Sequence, residues 1–294
     1  MAFFETEDSA VLYTKDTKTK IATITLNRPE KKNFLRINDY KRMIQMIEES
    51  EWDDDVKVIL MRGNGGDFCA GHDVNEIGHY YNIEEGQRRA SQRERLLLDR
   101  NILFGYNGVY QRWLRCLKAT VVEAKGINYG SGALFCLNAD IVVAADDSKI
   151  IHPGWRYVGP SVDALFQMWT LTVGVKKMKE MMLIGRPLEA QEAYDFGLFT
   201  KVVPKAKVQE ETMKMALAIA QQALDGIVMG KAAFETTLDK MGVADATQGA
   251  ILHAWSTNIR FEPGEWNLLK ERRDKGVKGA IHTRDDRFKK TIGA

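Results

Sequence analysis

The sequence predicts an α/β protein organised around a largely parallel sheet, on three observations. Apolar, β-branched runs alternate with helix-period segments through the first half of the chain. Those runs end in turn residues, and strand, turn and helix then recur in that order. Two segments in particular, Asp67-Phe68-Cys69-Ala70-Gly71-His72-Asp73 and Lys125-Gly126-Ile127-Asn128-Tyr129-Gly130-Ser131-Gly132, each read as a strand end, a tight glycine turn and a helix start. Such units return the chain to the same edge by crossover, which favours parallel strands.

Taken in order, Ile21 to Leu26 is a β-branched strand that stops at the turn signal Asn27-Arg28-Pro29. Asn38 is placed to cap a helix running to about Ser50, with Tyr40, Met43, Ile44 and Ile47 on its apolar face. Val56 to Met61 is a strand, and Arg62-Gly63-Asn64-Gly65-Gly66 is a loop. No helix begins at these glycines, so their spacing is no dinucleotide fingerprint. Glu84 to Arg100 is charged and Arg-rich and reads as a solvent-exposed or mobile helix. Its acidic residues, Glu84, Glu85, Glu94 and Asp99, interrupt any basic nucleic-acid patch. Thr120 to Ala124 is the next strand despite Glu123, Ser131 to Asn138 an apolar helix, and Ile141 to Ala145 another strand.

From Ala164 onward the pattern is mostly helical, with Pro187, Pro204 and Pro263 as punctuation and with apolar faces over Gln209 to Leu224 and Gly249 to Ile259. Arg260 to Ala294 is highly charged, with Trp266, Leu268 and Leu269 as apolar anchors. A segment of that composition does not fold by itself; it docks, a neighbouring subunit being one candidate surface.

Composition narrows the function classes. Among 294 residues, 45% are hydrophobic and 28% charged, and the net charge of +2 gives no reason to expect nucleic acid. The three cysteines, Cys69, Cys116 and Cys136, are odd in number and lie in apolar surroundings, which reads as buried thiols in a reducing compartment. The acidic first residues lack the apolar run of a secretory signal, and no stretch approaches the roughly 18 apolar residues of a membrane span. The expectation is a cytoplasmic protein without membrane association. No histidine pair has metal-ligand spacing and no Cys-x-x-Cys occurs, so no metal is expected; His79, His253 and His282 lack any partner pattern.

The glycine turns carry the functional signal. Each offers main-chain N–H groups at a helix N-terminus, where an anion is stabilised. Two such turns facing one point hold a developing negative oxygen, as in an oxyanion hole, and so suggest enolate or tetrahedral-oxyanion chemistry at a thioester carbonyl.

The residues of these segments resemble one family. Ile24-Thr25-Leu26-Asn27-Arg28-Pro29-Glu30-Lys31-Lys32-Asn33 is similar to the opening strand and loop of the crotonase (enoyl-CoA hydratase/isomerase) superfamily. Phe68 to Asp73 resembles its first oxyanion turn, and Gly126 with Gly130-Ser131-Gly132 its second, followed by Asn138-Ala139-Asp140-Ile141. Leu183-Ile184-Gly185-Arg186-Pro187, Glu192-Ala193, Phe196-Gly197-Leu198 and Val202-Val203-Pro204 resemble the family's segment after the active site. The likeness covers about residues 15 to 235, in family order.

The resemblance implies a crotonase-like spiral of ββα units over residues 1–205. A helical trimerisation region with the charged tail would occupy 206–294, in a homotrimer or a dimer of trimers. It implies acyl-CoA substrates, with coenzyme A part of the substrate rather than a separate cofactor. The oxyanion donors would be the main-chain N–H groups of His72 and Ser131, where the family usually has glycine at the second. Lys31, Lys32, Asn33 and Ala70 would line the coenzyme A path, largely through backbone atoms; a solvated surface lysine is the alternative for Lys31 and Lys32.

The departures from the family are as informative. A standard hydratase places one glutamate three residues beyond the second donor, here Leu134, and another after a proline, here Gly154 after Pro153. Neither residue can donate or accept the proton that hydration requires. His152 to Asp163 is the segment expected to line the acyl pocket, with Trp155, Tyr157 and Leu134 as walls. Asp163 falls at or beside a working carboxylate of several branches, and an apolar pocket would raise its pKa and suit it to proton shuttling. A helix N-terminal carboxylate is the structural alternative. His152 is the second catalytic candidate, as base or water-orienting group, against a purely structural role.

The sequence thus predicts an acyl-CoA-processing enzyme that stabilises a thioester enolate. The expected reaction is a non-standard hydration, isomerisation or C–C hydrolysis on a cyclic or aromatic acyl group. Two alternatives stay open. The Trp155–Asp163 interval matches the dehalogenase branch, in which the aspartate is a nucleophile. A non-catalytic scaffold that binds CoA esters or RNA would also tolerate the missing glutamates.

Overall fold

A computed structural model describes residues 10–76, 91–152, 156, 165–243, 246–256 and 261–292. The larger of two sheets takes strands β1 (Val11–Asp16), β2 (Ile21–Leu26), β3 (Val58–Gly63), β4 (Ala119–Ala124), β6 (Ile141–Ala145) and β9 (Lys201–Val203), in that spatial order. Only β1 runs antiparallel to its neighbour; the other ladders are parallel. The smaller sheet joins β5 (Ile127–Tyr129), β7 (Lys149–Ile151) and β8 (Leu188–Glu189).

Strand alternation sorts the large sheet into two apolar faces. Ala22, Ile24, Leu26, Ile59, Met61, Val122, Ala124, Val142 and Ala144 face the main core, which includes helix α1 (Ile37–Trp52). Ile21, Val58, Leu60, Ala119 and Val121 face Ala216 of helix α7 (Val208–Ala220) on the other side. Both faces are therefore covered, and β4 is buried along its whole length, as parallel strands require. Glu123 is tolerated there because Lys125 lies 3.0 Å away.

The spiral arises because successive units place one strand in each sheet. After β4 the chain enters the small sheet as β5 and then helix α4 (Ser131–Leu137); after β6 it enters the small sheet as β7. The unit begun by β3 follows the same path with a single bridge, Cys69 pairing with Asn128 of β5.

Between α1 and β4 lie helix α2 (Gln92–Leu98), a π-helical turn over Asp99–Leu103 and helix α3 (Val109–Leu114). Helix α5 (Phe166–Ile184) is interrupted at Gly174, and α6 (Ala190–Asp195) precedes β9. Helices α8 (Leu224–Lys240), α9 (Ala246–Ser256) and α10 (Leu268–Ile292, interrupted at Gly276) close the chain.

The helix expected to be capped by Asn38 begins two residues earlier, at Ile37 after Arg36, with Asn38 inside its first turn. Asp39 is the working cap, its carboxylate accepting from the Arg36 N–H at 2.7 Å. The segment expected to be an exposed helix up to Arg100 buries Arg95, Leu98 and Asp99 over its described part. The charged tail docks within its own chain: Leu268 and Ala280 pack with Val74, Tyr129 and Trp266, and Arg272 donates to the Val74 carbonyl at 2.6 Å.

Candidate active site

The two glycine turns lie side by side. Phe68 N–H donates to the Lys125 carbonyl at 2.9 Å, Cys69 N–H to that of Ile127 at 3.1 Å, and Tyr129 N–H to that of Cys69 at 2.9 Å. His72 and Ser131 each stand three residues past the bridged pair Cys69–Asn128. The second helix also approaches the first turn so closely that a Cβ on Gly132 would sit 2.5 Å from the Cys69 carbonyl oxygen. Only glycine allows that approach.

Ser131 is the first helical residue of α4, so its N–H has no acceptor within the helix. The left-handed backbone step falls on Gly130, at φ 53°, and Ser131 carries its Cβ outside that region. A serine at this position therefore offers its N–H without backbone strain.

His72 is held by a backbone bridge and a side-chain hydrogen bond. It forms a parallel bridge with Leu35, whose N–H donates to the Gly71 carbonyl while the Asp73 N–H donates to the Leu35 carbonyl, both at 2.8 Å. Its Nε2 lies 3.0 Å from Oε2 of Glu76, and that oxygen also accepts from the Ile37 N–H at 2.8 Å. Glu76 is fully buried, and Asp73 beside it pairs with Arg36 at 3.1 Å.

Residues expected along the coenzyme A path gather against the first turn. Ala70 N–H donates to the Lys32 carbonyl at 2.8 Å. Lys31 and Lys32 are exposed, and Lys32 Nζ is 4.0 Å from Asp67. The Asn33 side chain is buried and fully used: Oδ1 accepts from Arg28 N–H at 2.9 Å, and Nδ2 donates to the carbonyls of Asn64 and Asp67 at 2.9 and 3.0 Å. Its side chain shapes the loop rather than facing outward. Beneath it Arg28 and Asp39 form a buried pair at 2.5 Å.

His152 follows Ile151, whose carbonyl accepts from Gly130 N–H at 3.1 Å, so it stands directly after the strand that holds the second turn. It is buried, with its ring edge-on to Trp169 at 5.3 Å between centroids. Leu134 belongs to the main apolar core. The other catalytic candidate, Asp163, and the pocket candidates Trp155 and Tyr157 lie outside the described residues, as does Gly154. No group of His, Cys, Asp and Glu among the described residues could hold a metal ion.

A family model described as enoyl-CoA hydratase/isomerase matches residues 16–260. The chain belongs to that family, and so to the crotonase superfamily. A human family relative, enoyl-CoA hydratase domain-containing protein 3, mitochondrial, is 31% identical over 215 residues, 73% of this chain and 66% of that protein. The chain thus spans just under two thirds of that relative's length. A probable enoyl-CoA hydratase from Mycobacterium smegmatis is 27% identical, with a TM-score of 0.70 over 83% of this chain and 93% of that one. An enoyl-CoA hydratase/isomerase from Xanthobacter autotrophicus Py2 shares the fold, with a TM-score of 0.80, 95% and 98% coverage and 24% identity.

Beside these family features the site contains groups the sequence pattern did not single out. Glu76 had a legible signal, standing four residues after His72 at helical spacing. Tyr40 and Tyr110 had none, because each sits at an apolar position of its helix. Both bring their hydroxyls to Ser131 Oγ, at 2.6 and 2.8 Å. Burial pushes the Tyr40 phenol well above its ordinary range, and pushes the Cys69 thiol up to about 12.

Proposed function

We propose that this family member processes an acyl-CoA thioester, binding its carbonyl oxygen between the main-chain N–H groups of His72 and Ser131 and stabilising an enolate there. The observation that carries this reading is the pairing of the two glycine turns through Cys69 and Asn128, which brings both donor-bearing segments to one place. Such prearranged donors lower the energy of developing oxyanion charge.

In this reading Asp163 moves the α-proton or activates water, and His152 assists it. Leu134, buried in the core, supplies no acid or base, so the reaction is a non-standard hydration, isomerisation or C–C hydrolysis. Trp155 and Tyr157 suit a cyclic or aromatic acyl group. The ridge of Lys31, Lys32, Asn33 and Ala70 receives the coenzyme A moiety. Coenzyme A enters as part of the substrate, with no separate cofactor.

The protein acts as a homotrimer or dimer of trimers. Helix α8 buries none of its residues within the chain, and Met229 and Phe234 are 70% and 73% exposed, which suits a face covered by another copy. No described helix is long and apolar enough to cross a membrane, and we place the protein in the cytoplasm.

Exchange of the α-hydrogens of a panel of acyl-CoA thioesters in D2O, followed by mass spectrometry, tests the reading. Wild-type protein is expected to catalyse exchange, and Asp163→Asn to lose it by roughly 100-fold or more. Binding of the whole panel without exchange would favour a CoA-ester scaffold instead.

A further inference from the structure

Ser131 presents a side chain where the donor needs only a backbone, and the surroundings of that side chain are built. Tyr110, from α3, donates its hydroxyl to Ser131 Oγ at 2.8 Å, and the Tyr40 hydroxyl, from α1, lies 2.6 Å from the same atom. All three residues are buried, at 0% exposure for Tyr40, 3% for Tyr110 and 4% for Ser131. Buried hydroxyls need partners, and here each tyrosine reaches the oxygen of Ser131.

The rings extend the connection. Tyr40 and Tyr110 meet edge-on with centroids 6.1 Å apart, and Tyr110 packs on Phe135, one turn further along α4, at 5.4 Å. Tyr40 also packs against the His72 ring at 5.6 Å. One side chain therefore touches both residues whose N–H groups are the proposed donors.

A hydroxyl on the first helical residue, bonded from two other helices, fixes the direction in which that residue's N–H points. Oxyanion stabilisation is sensitive to such aim, because a donor contributes fully only within a narrow range of distance and angle. An apolar filling of the same space would pack without holding the serine.

We propose that Tyr40 and Tyr110 are positioning residues for the oxyanion site, holding the Ser131 hydroxyl so that the Ser131 N–H keeps its aim at the substrate carbonyl. The assignment rests on the acyl-CoA reading for its catalytic consequence, but not for the anchoring itself.

The test uses the full-length chain and the variants Tyr40→Phe, Tyr110→Phe, Ser131→Ala and the two tyrosine changes in the Ser131→Ala background. Phenylalanine keeps the ring and removes only the hydroxyl, and a thermal melt checks that each variant folds. Two readouts are taken: amide hydrogen exchange at Ser131, which needs no substrate, and the kinetics of α-hydrogen exchange in an acyl-CoA found active with wild type. Each single change is expected to speed Ser131 amide exchange by roughly five-fold and to lower kcat by a similar factor with KM held. In the Ser131→Ala background neither tyrosine change has any further effect, because the oxygen it held is gone. Unchanged Ser131 amide exchange in both tyrosine variants overturns the proposal, as do tyrosine effects that persist undiminished in Ser131→Ala. Wild-type protein that exchanges no acyl-CoA removes the functional reading alone, and amide exchange still decides the anchoring.

Discussion

The two glycine turns look alike in sequence but are held by different forces. The first, carrying His72, is fixed largely by charged groups: Arg28 with Asp39 beneath its loop, Arg36 with Asp73 and Arg272 on the Val74 carbonyl, with a hydrogen bond between His72 and Glu76. The second is held at its start by carboxylates, Asp67 and Asp147 accepting from the Ile127 and Gly126 N–H groups, but at Ser131 by neutral groups alone: two tyrosine hydroxyls and the apolar packing of Phe135, Trp113 and Leu134. One fold thus meets the same geometric demand twice. The charged groups are as buried as the hydroxyls, with Asp39 and Glu76 at 0% exposure and Arg28 at 5%, so the desolvation cost is met at one turn by pairing each charge and at Ser131 by groups that stay uncharged.

The largest way to break the contrast lies on the ionic side. Asp39 is fully buried and accepts from Arg28 and from the Arg36 N–H, so Asp39→Ala strands a buried guanidinium. A loss of about 3–5 kcal/mol in denaturant unfolding is expected, against about 1 kcal/mol for Tyr40→Phe on the other side. Equal losses for the two variants would show that the turns do not differ in the way described.

Alkali tests the buried neutral groups of both turns, Tyr40 against the second and the Cys69 thiol within the first. Tyr40 and Cys69 hold their protons more tightly in the folded chain than in the unfolded one. Their contribution is complete below the unfolded values, about 8.5 for a thiol and about 10 for a phenol, and is lost as pH rises above them toward the folded values. Each group steepens the decline by up to about 1.4 kcal/mol per pH unit. Stability measured from pH 8 upward is therefore expected to fall less steeply beyond about pH 10 in Tyr40→Phe than in wild type. Parallel curves would contradict the burial of a neutral phenol at this site.

The sequence made the two turns legible because glycine, a strand end and a helix start are all local signals. Strands β2, β4 and β6 were legible for the same reason: their apolar runs face two covered surfaces and need no partner to be recognised. The edge strand β1 was not, since Lys15 and Asp16 are exposed and its pattern is half polar. Strands β5, β7 and β8 are two or three residues long, and only their pairing defines them. Asn38 looked like a cap because its residue type suits one, but Asp39 wins by bonding both Arg36 and Arg28. The tail was legible as a docking segment from Trp266, Leu268 and Leu269, while its surface, Val74 and Tyr129 beside the two turns, was not. At the site itself the two turns were legible and the groups packed around them were not. Tyr40 and Tyr110 carry helix-face patterns, and nothing local says that their hydroxyls meet at Ser131.

The central claim concerns a main-chain N–H, and proline can remove it. Ser131 is the first residue of α4, a helix position that accepts proline, so Ser131→Pro deletes the donor while Ser131→Ala keeps it. The measurement is the carbonyl stretch of a thioester-labelled (13C=O) acyl-CoA bound to wild type and to both variants, with folding checked by circular dichroism. A shift to lower frequency is expected on binding to wild type and to Ser131→Ala, and a band close to its solution position on binding to Ser131→Pro. An equally shifted band in folded Ser131→Pro would mean that this N–H does not hold the carbonyl oxygen.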